Sequence, residues 1–123
     1  MIFEEEELVA LNFDDYQTLA LSTAVYQNVG ENLVYPALGL AGETGEYADK
    51  VKKNWRNKDS MSAANLTYEE KKEFAKELGD ILWYLAASAR ELGFELSEIA
   101  VQNIAKLSDR RNRDVIKSAG DNR

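Results

Sequence analysis

Apolar residues recur along most of this chain at the three- and four-residue spacing of helices, and short polar stretches separate the repeats. The pattern predicts four helices, over about residues 13–28, 36–55, 67–92 and 96–115. A single proline, at Pro36, and few turn clusters disfavour a fold built from many strands. The chain is therefore predicted to be all-α.

Local capping signals mark the ends of these helices. Asn12 suits the N-cap of the first helix. Thr67 and Glu70 form a T-x-x-E capping box at the start of the third. Gly30 and Gly93 are placed to end the first and third helices, because glycine readily adopts the left-handed conformation found there.

The second and third helices each carry an apolar stripe that we expect to be buried. The stripe of the second helix comprises Ala37, Ala41, Ala48 and Val51. The stripe of the third comprises Phe74, Leu78, Leu82, Leu85, Ala89 and Leu92. Elsewhere on the second helix lie Gly39, Gly42 and Gly45. Each glycine costs about 1 kcal/mol relative to alanine, so we expect the close approach of another backbone or a ligand to offset that cost.

At 123 residues the chain has the length of one domain. We expect residues 1–123 to form a single unit with its core over 12–113 and flexible ends over 1–11 and 116–123. Four helices of this size leave apolar surface uncovered, so we predict a bundle completed by oligomerisation.

The charge balance and two missing residue types narrow the function. The chain has 22 acidic and 15 basic residues, a net charge of −7, and neither histidine nor cysteine. Nucleic acid and anionic membranes attract positive proteins, so neither is expected as a partner. Disulfides, thiolate chemistry and imidazole catalysis are excluded. No leader or membrane span is visible, so we expect a cytoplasmic protein.

Two acidic couplets are the best candidates for chemistry. Glu43 and Glu46 lie in GLAGETGEY, and Glu77 and Asp80 lie in KELGDILWY. Their i, i+3 spacing puts both carboxylates of each couplet on one helix face, and successive helices joined by a short connection pack antiparallel. Either the four carboxylates lie apart in solvent, as most helical acidic pairs do, or they lie together and hold a cation. Because an all-oxygen site selects hard cations, the second alternative predicts Mg²⁺, with Mn²⁺ as a possible substitute.

Basic and aromatic residues elsewhere could hold an anionic ligand beside such a metal. Asn103, Lys106 and Arg110 share a face of the fourth helix, and Lys53 lies near the end of the second. The alternative for these cations is that they complement a helix dipole. Tyr84 lies one turn after Asp80 and is a candidate for stacking on a base, although aromatics at helical spacing are more often core residues.

Taken together, these motifs resemble the MazG-like, all-α nucleoside triphosphate pyrophosphohydrolases. That family carries E-E-x-x-E on one helix and E-x-x-D on the next, and GLAGETGEYADKVKK and KELGDILWY are similar to these two elements. The stretch from Asn103 to Arg110 is similar to the family's substrate-contacting N-x-x-K segment. The resemblance covers about residues 12–113. In one departure, Gly42 stands where the family usually has the first glutamate.

The resemblance implies a fold, an activity and a set of ligands. It implies Mg²⁺ bound by Glu43, Glu46, Glu77 and Asp80, and hydrolysis of a nucleoside triphosphate to the monophosphate and pyrophosphate. Glu43 or Glu46 would also act catalytically by orienting or deprotonating water. The site residues expected to contact the substrate are Lys53, Tyr84, Asn103, Lys106 and Arg110. Members of the family are dimers or tetramers, so a homodimer or homotetramer is expected.

Two alternatives remain open from the sequence. One is a dUTPase- or dCTPase-like enzyme of the same fold with a narrow base preference. The other is a helical interaction module that keeps the fold without activity, which the glycine at position 42 makes conceivable.

Overall fold

The computed structural model describes residues 8–113, which form four α-helices and a short 3₁₀ helix. The α-helices are α1 (Phe13–Leu21), α2 (Val34–Lys58), α3 (Tyr68–Glu91) and α4 (Leu96–Asn112), and the 3₁₀ helix is Ala63–Asn65. No strand occurs in this part of the chain, which confirms the all-α prediction. The ends predicted to be flexible lie mostly outside the described residues, as does the predicted end of the fourth helix at Val115.

The α2–α3 hairpin is the main packing unit, and α1 and α4 pack on α3. The buried core lies toward the C-terminal half of α3 and comprises Ala86, Ala89 and Leu96. Tyr16, Leu82 and Ile99 pack against it from α1, α3 and α4. None of the described helices is both long and apolar enough to span a bilayer.

The predicted N-cap of α1 and the predicted caps of α3 are confirmed. The Asn12 side chain accepts a hydrogen bond of 2.8 Å from the Asp15 backbone. At the start of α3, the Thr67 hydroxyl accepts from the Glu70 backbone at 3.1 Å, and the Glu70 carboxylate accepts from the Thr67 backbone at 3.0 Å. Gly93 follows the end of α3 with φ of +83°. These signals are local, so the sequence is sufficient to specify them.

The prediction that the first helix continues to about residue 28 and is ended by Gly30 is wrong, because α1 ends at Leu21. The hydroxyls of Ser22 and Thr23 each donate a hydrogen bond of 2.6 Å to a carbonyl in the last turn, those of Leu19 and Ala20. Such side chains compete with the helical backbone pattern and favour an end. The chain then runs without helix or strand over 22–33.

The prediction that the apolar stripe of α2 is buried is also wrong, because Ala37, Ala41, Ala48 and Val51 are all exposed. In the α3 stripe, Ala89 is buried, but the leucines at 78, 85 and 92 are exposed by 48%, 38% and 56%. Instead, the face of α2 that carries the acidic couplet packs against α3. The apolar stripe of α2 therefore lies on the outside of the hairpin.

Candidate functional site

Packing of α2 against α3 brings together one carboxylate of the first acidic couplet and both of the second. Glu43, Glu77 and Asp80 each offer an oxygen atom, and these three atoms all lie within 4.8 Å of one another. Glu43 comes from α2, whereas Glu77 and Asp80 lie one turn apart on α3. The couplets are thus not separate solvated pairs, and we call these three residues the carboxylate cluster.

Glu46 lies beside the carboxylate cluster rather than within it. It is exposed on α2, one turn after Glu43. Burial raises the pKa of Glu43 above its ordinary value of 4.5, and the neighbouring charges of Glu46, Asp80 and Glu77 raise it further. The negative charge at Glu43 is therefore unfavourable until a cation compensates it.

The donor set fits a divalent cation. Among the described residues, Oε2 of Glu43 and Oε2 of Glu77 are buried and have no hydrogen-bond partner. Burying a carboxylate oxygen without a partner is unfavourable, and coordination to a metal would satisfy it. Three carboxylates without nitrogen or sulfur donors match the preference of Mg²⁺ or Mn²⁺ for oxygen. The glycines at 45 and 79, next to the couplets, face open space.

Lys50 also reaches the carboxylate cluster, which the sequence reasoning missed. Its ammonium group lies 2.7 Å from Oε1 of Glu77, and the Glu77 side chain is only 13% exposed. The contact with Glu77 raises the pKa of Lys50. The available signal was spacing, because Lys50 follows Glu43 by seven residues and Glu46 by four, so all three share one face of α2.

An open cavity of about 270 Å³ adjoins the carboxylate cluster and is lined by Glu43, Asp80, Trp83 and Tyr84. Its wall therefore combines carboxylates with two aromatic rings. Tyr16 of α1 lies near Asp80, and its pKa is raised by burial and by the charge of Asp80. A lining of this kind suits a cation and a flat ring held next to each other.

Four aromatic side chains pack together at this cavity, and two of them, Trp83 and Tyr84, line it. Tyr26 stacks on Tyr35 with ring centroids 5.0 Å apart, and Tyr35 approaches Tyr84 at 6.2 Å. Trp83 meets Tyr84 edge to face at 5.1 Å and Tyr26 at 6.4 Å. We call Tyr26, Tyr35, Trp83 and Tyr84 the aromatic wall. The prediction that Tyr84 lies on the side of the second couplet is consistent with this position.

The structure explains why one of the three glycines of α2, Gly39, is a glycine. A Cβ atom at this position would overlap the ring of Tyr84, whereas one at Gly42 or Gly45 would meet nothing within 4 Å. The expected close approach thus occurs at Gly39, and a side chain makes it rather than a backbone. At Gly42, where the resemblance leads one to expect glutamate, the structure has open space.

The other residues predicted to contact a substrate do not line the cavity at the carboxylate cluster. Lys53 is exposed and pairs with Asp49 at 2.7 Å. On α4, Asn103 and Lys106 are exposed, whereas Arg110 is only 5% exposed. Their roles stay predictions.

Comparison with known proteins agrees with these observations. A protein-family model described as the MazG nucleotide pyrophosphohydrolase domain matches residues 36–115, which is more than half of the chain. Gene 37 protein of Mycobacterium phage L5 is 42% identical over 118 residues, an alignment that covers 92% of this chain and 100% of the relative. The name of that relative states no activity. No solved structure matches the chain significantly.

Proposed function

The chain belongs to the MazG nucleotide pyrophosphohydrolase family, and from this premise we propose that it is a Mg²⁺-dependent enzyme that hydrolyses a nucleoside triphosphate. The products would be the nucleoside monophosphate and pyrophosphate. The observation that carries the proposal is the carboxylate cluster, with the unpaired buried oxygens of Glu43 and Glu77, beside a cavity that Trp83 and Tyr84 also line.

Glu43, Glu77 and Asp80 would hold the metal. Glu46, one turn further along α2, would complete or adjust this set of metal ligands. When bound, Mg²⁺ supplies positive charge that attracts phosphate oxygens and makes water a better nucleophile. The raised pKa of Glu43 supports this assignment, because a bound cation would compensate the negative charge that burial and the neighbouring carboxylates disfavour.

The reaction needs a group that takes a proton from water. Glu46 is exposed beside Glu43 and lies outside the three-carboxylate cluster, so an oxygen of Glu46 that does not contact the metal would orient the water and accept that proton. The water oxygen would bond to the α-phosphorus, and the bond from that phosphorus to the α,β-bridging oxygen would break. Pyrophosphate would leave with the bonding electrons, so atoms and charge balance.

The nucleoside would contact the aromatic wall through Trp83 and Tyr84, which line the cavity beside Asp80. Stacking of a base on an aromatic ring contributes about 1–3 kcal/mol and depends little on which base is present. Lys53 on α2, and Asn103, Lys106 and Arg110 on α4, are proposed to contact the phosphates. A narrow preference for one base, as in a dUTPase- or dCTPase-like enzyme, is a finer form of the same proposal.

We also propose that a second copy of the chain covers the outer face of α2. The residues Val34, Leu38, Ala41, Ala48 and Trp55 recur there at three- to seven-residue spacing, and Val34, Leu38 and Trp55 are exposed by 66%, 68% and 53%. Such a stripe on a helix is typical of a seam between helices, and its alanines allow close approach. A homodimer, or a homotetramer built from it, would bury this surface.

A substrate panel tests the activity. The protein is incubated with each ribo- and deoxyribonucleoside triphosphate, with Mg²⁺ or with EDTA, and pyrophosphate is measured. Mg²⁺-dependent release from several substrates supports the general enzyme, and release from one supports the narrow preference. No release, together with no Mn²⁺ binding by calorimetry, would favour an inactive interaction module. The expected cytoplasmic location stays a prediction.

A further inference from the structure

The segment over 22–33, between α1 and α2, is held by one carboxylate at the far end of α3. Glu91 accepts hydrogen bonds from the Tyr26 hydroxyl at 2.5 Å and the Gly30 backbone at 2.8 Å through Oε1. Through Oε2 it accepts a third from the Asn32 backbone at 3.2 Å. Both oxygens are therefore used, and all three donors come from the same segment.

Little apolar burial would hold this segment without Glu91. Three of its apolar residues, Val25, Val29 and Leu33, are exposed by 92%, 39% and 43%. Glycine at position 30 has φ of +93°, and Asn28 has φ of 57°, so the backbone turns sharply between the groups that Glu91 binds. Hydrogen bonds to a charged acceptor are stronger than those between neutral groups. The Glu91 carboxylate is therefore a principal tether of the segment.

What the tether fixes is the aromatic wall. Tyr26, whose hydroxyl Glu91 binds, stacks on Tyr35 and contacts the edge of Trp83. Trp83 and Tyr84 in turn line the cavity beside the carboxylate cluster. A second hydrogen bond connects the aromatic wall to α1, because the Trp83 indole donates to the Ala20 carbonyl at 3.1 Å. A continuous set of contacts thus runs from Glu91 to the cavity.

We propose that Glu91 is a positioning residue that sets the aromatic wall for the nucleoside part of the substrate. It contacts Tyr26 rather than the cavity, so it acts on nucleoside binding and leaves metal binding and the hydrolytic step alone. The assignment of the ligand as a nucleotide rests on the proposed function, whereas the tether itself does not.

The test uses two independent readouts in a Trp55→Phe background, in which Trp83 is the remaining tryptophan of the two in the chain. The first readout is quenching of Trp83 fluorescence by acrylamide, without substrate. The second is steady-state hydrolysis of the best nucleotide. In this background, Glu91→Ala is expected to increase Trp83 quenching and to raise KM about tenfold, because hydrogen bonds to a charged group are lost. Its kcat is expected to stay within about twofold.

Two further variants separate positioning from general damage. Glu91→Gln keeps acceptor oxygen without charge, so its KM should fall between those of the parent and Glu91→Ala. Tyr26→Phe keeps the ring and loses one hydrogen bond, so it tests the same contact if Glu91→Ala does not fold. The matched control is Glu69→Gln, an exposed carboxylate on α3 that should change neither readout.

Unchanged Trp83 quenching in Glu91→Ala and Tyr26→Phe would overturn the proposal, as would a fall in kcat at constant KM. If the parent protein hydrolyses no nucleotide, the proposed function fails. The quenching result still decides in that case whether Glu91 sets the wall, so the two failures are distinguishable.

Discussion

The ammonium group of Lys50 lies 2.7 Å from Oε1 of Glu77, so a cation of the chain itself sits at the edge of the carboxylate cluster. It compensates part of the repulsion among Glu43, Glu77 and Asp80. Oε2 of Glu77 remains buried and has no partner among the described residues. Lys50 therefore stabilises the metal-free protein and opposes, by its charge, the arrival of a divalent cation.

Replacing Lys50 by Met is expected to tighten Mn²⁺ binding by about fivefold, because a positive charge next to the ligands is removed. The same variant should unfold at a lower temperature without metal, because the carboxylates then repel one another without compensation. Calorimetric titration with Mn²⁺ and thermal unfolding in EDTA measure the two effects. Lys52→Met is the control, since Lys52 pairs with Asp49 and not with the cluster. Weaker Mn²⁺ binding in Lys50→Met would contradict this view of Lys50.

The substitution Asp80→Asn is expected to lower Mg²⁺-dependent pyrophosphate release by at least about 100-fold, because it removes a charged ligand from the metal. Far-UV circular dichroism should show unchanged helix content, since Asp80 is exposed. Glu46→Gln should have the same phenotype if Glu46 accepts the proton. Normal turnover in Asp80→Asn would rule out the assignment of the metal site.

The raised pKa of Glu43 predicts how the stability of the metal-free protein depends on pH. Its pKa is raised above 4.5 in the folded protein, so the folded state holds that proton more tightly than the unfolded state. The stability from this group is therefore fully present below pH 4.5 and is lost as pH rises through the raised pKa. Since Gln does not titrate, Glu43→Gln should become increasingly more stable than the wild type as pH rises through that window. Melting temperatures in EDTA at several pH values measure the difference, and a constant difference would contradict the raised pKa.

Gly39 and Gly42 form a matched pair on α2. Gly42→Ala is expected to stabilise the fold by about 0.5–1 kcal/mol, because the added methyl meets open space and alanine favours a helix. Gly39→Ala should destabilise it by about 1–2 kcal/mol, because the methyl displaces the Tyr84 ring. It should also raise KM for the nucleotide. Chemical denaturation of both variants gives the comparison, and equal stabilities would mean that Tyr84 does not pack on Gly39.

The outer face of α2 that carries Val34, Leu38 and Trp55 predicts where the chain self-associates. Leu38→Glu is expected to weaken a homodimer by at least about tenfold, because it places a charge within the apolar seam. Ile104→Glu is the control, because Ile104 on α4 is about as exposed, at 65% against 68% for Leu38. Sedimentation velocity over a range of concentrations measures both. A stable, active wild-type monomer would refute the proposed dimer.

The agreement between sequence and structure depends on how local each feature is. Asn12, the pair Thr67 and Glu70, and Gly93 act within one turn of their own helices, and each prediction about them is confirmed. The end of α1 was missed because hydroxyl-to-carbonyl hydrogen bonds at Ser22 and Thr23 compete with helix continuation, and the apolar pattern does not report them.

The sequence alone determined the helical class, the two acidic couplets and the absence of histidine and cysteine, which together favour an oxygen-donor metal site. Tertiary structure decided which face of α2 meets α3, and with it that Glu43 joins Glu77 and Asp80 while Glu46 stays at the edge. The apolar stripe of α2 could not predict this, because the stripe faces outward. Periodicity shows which residues share a face, but only packing between helices determines what that face contacts.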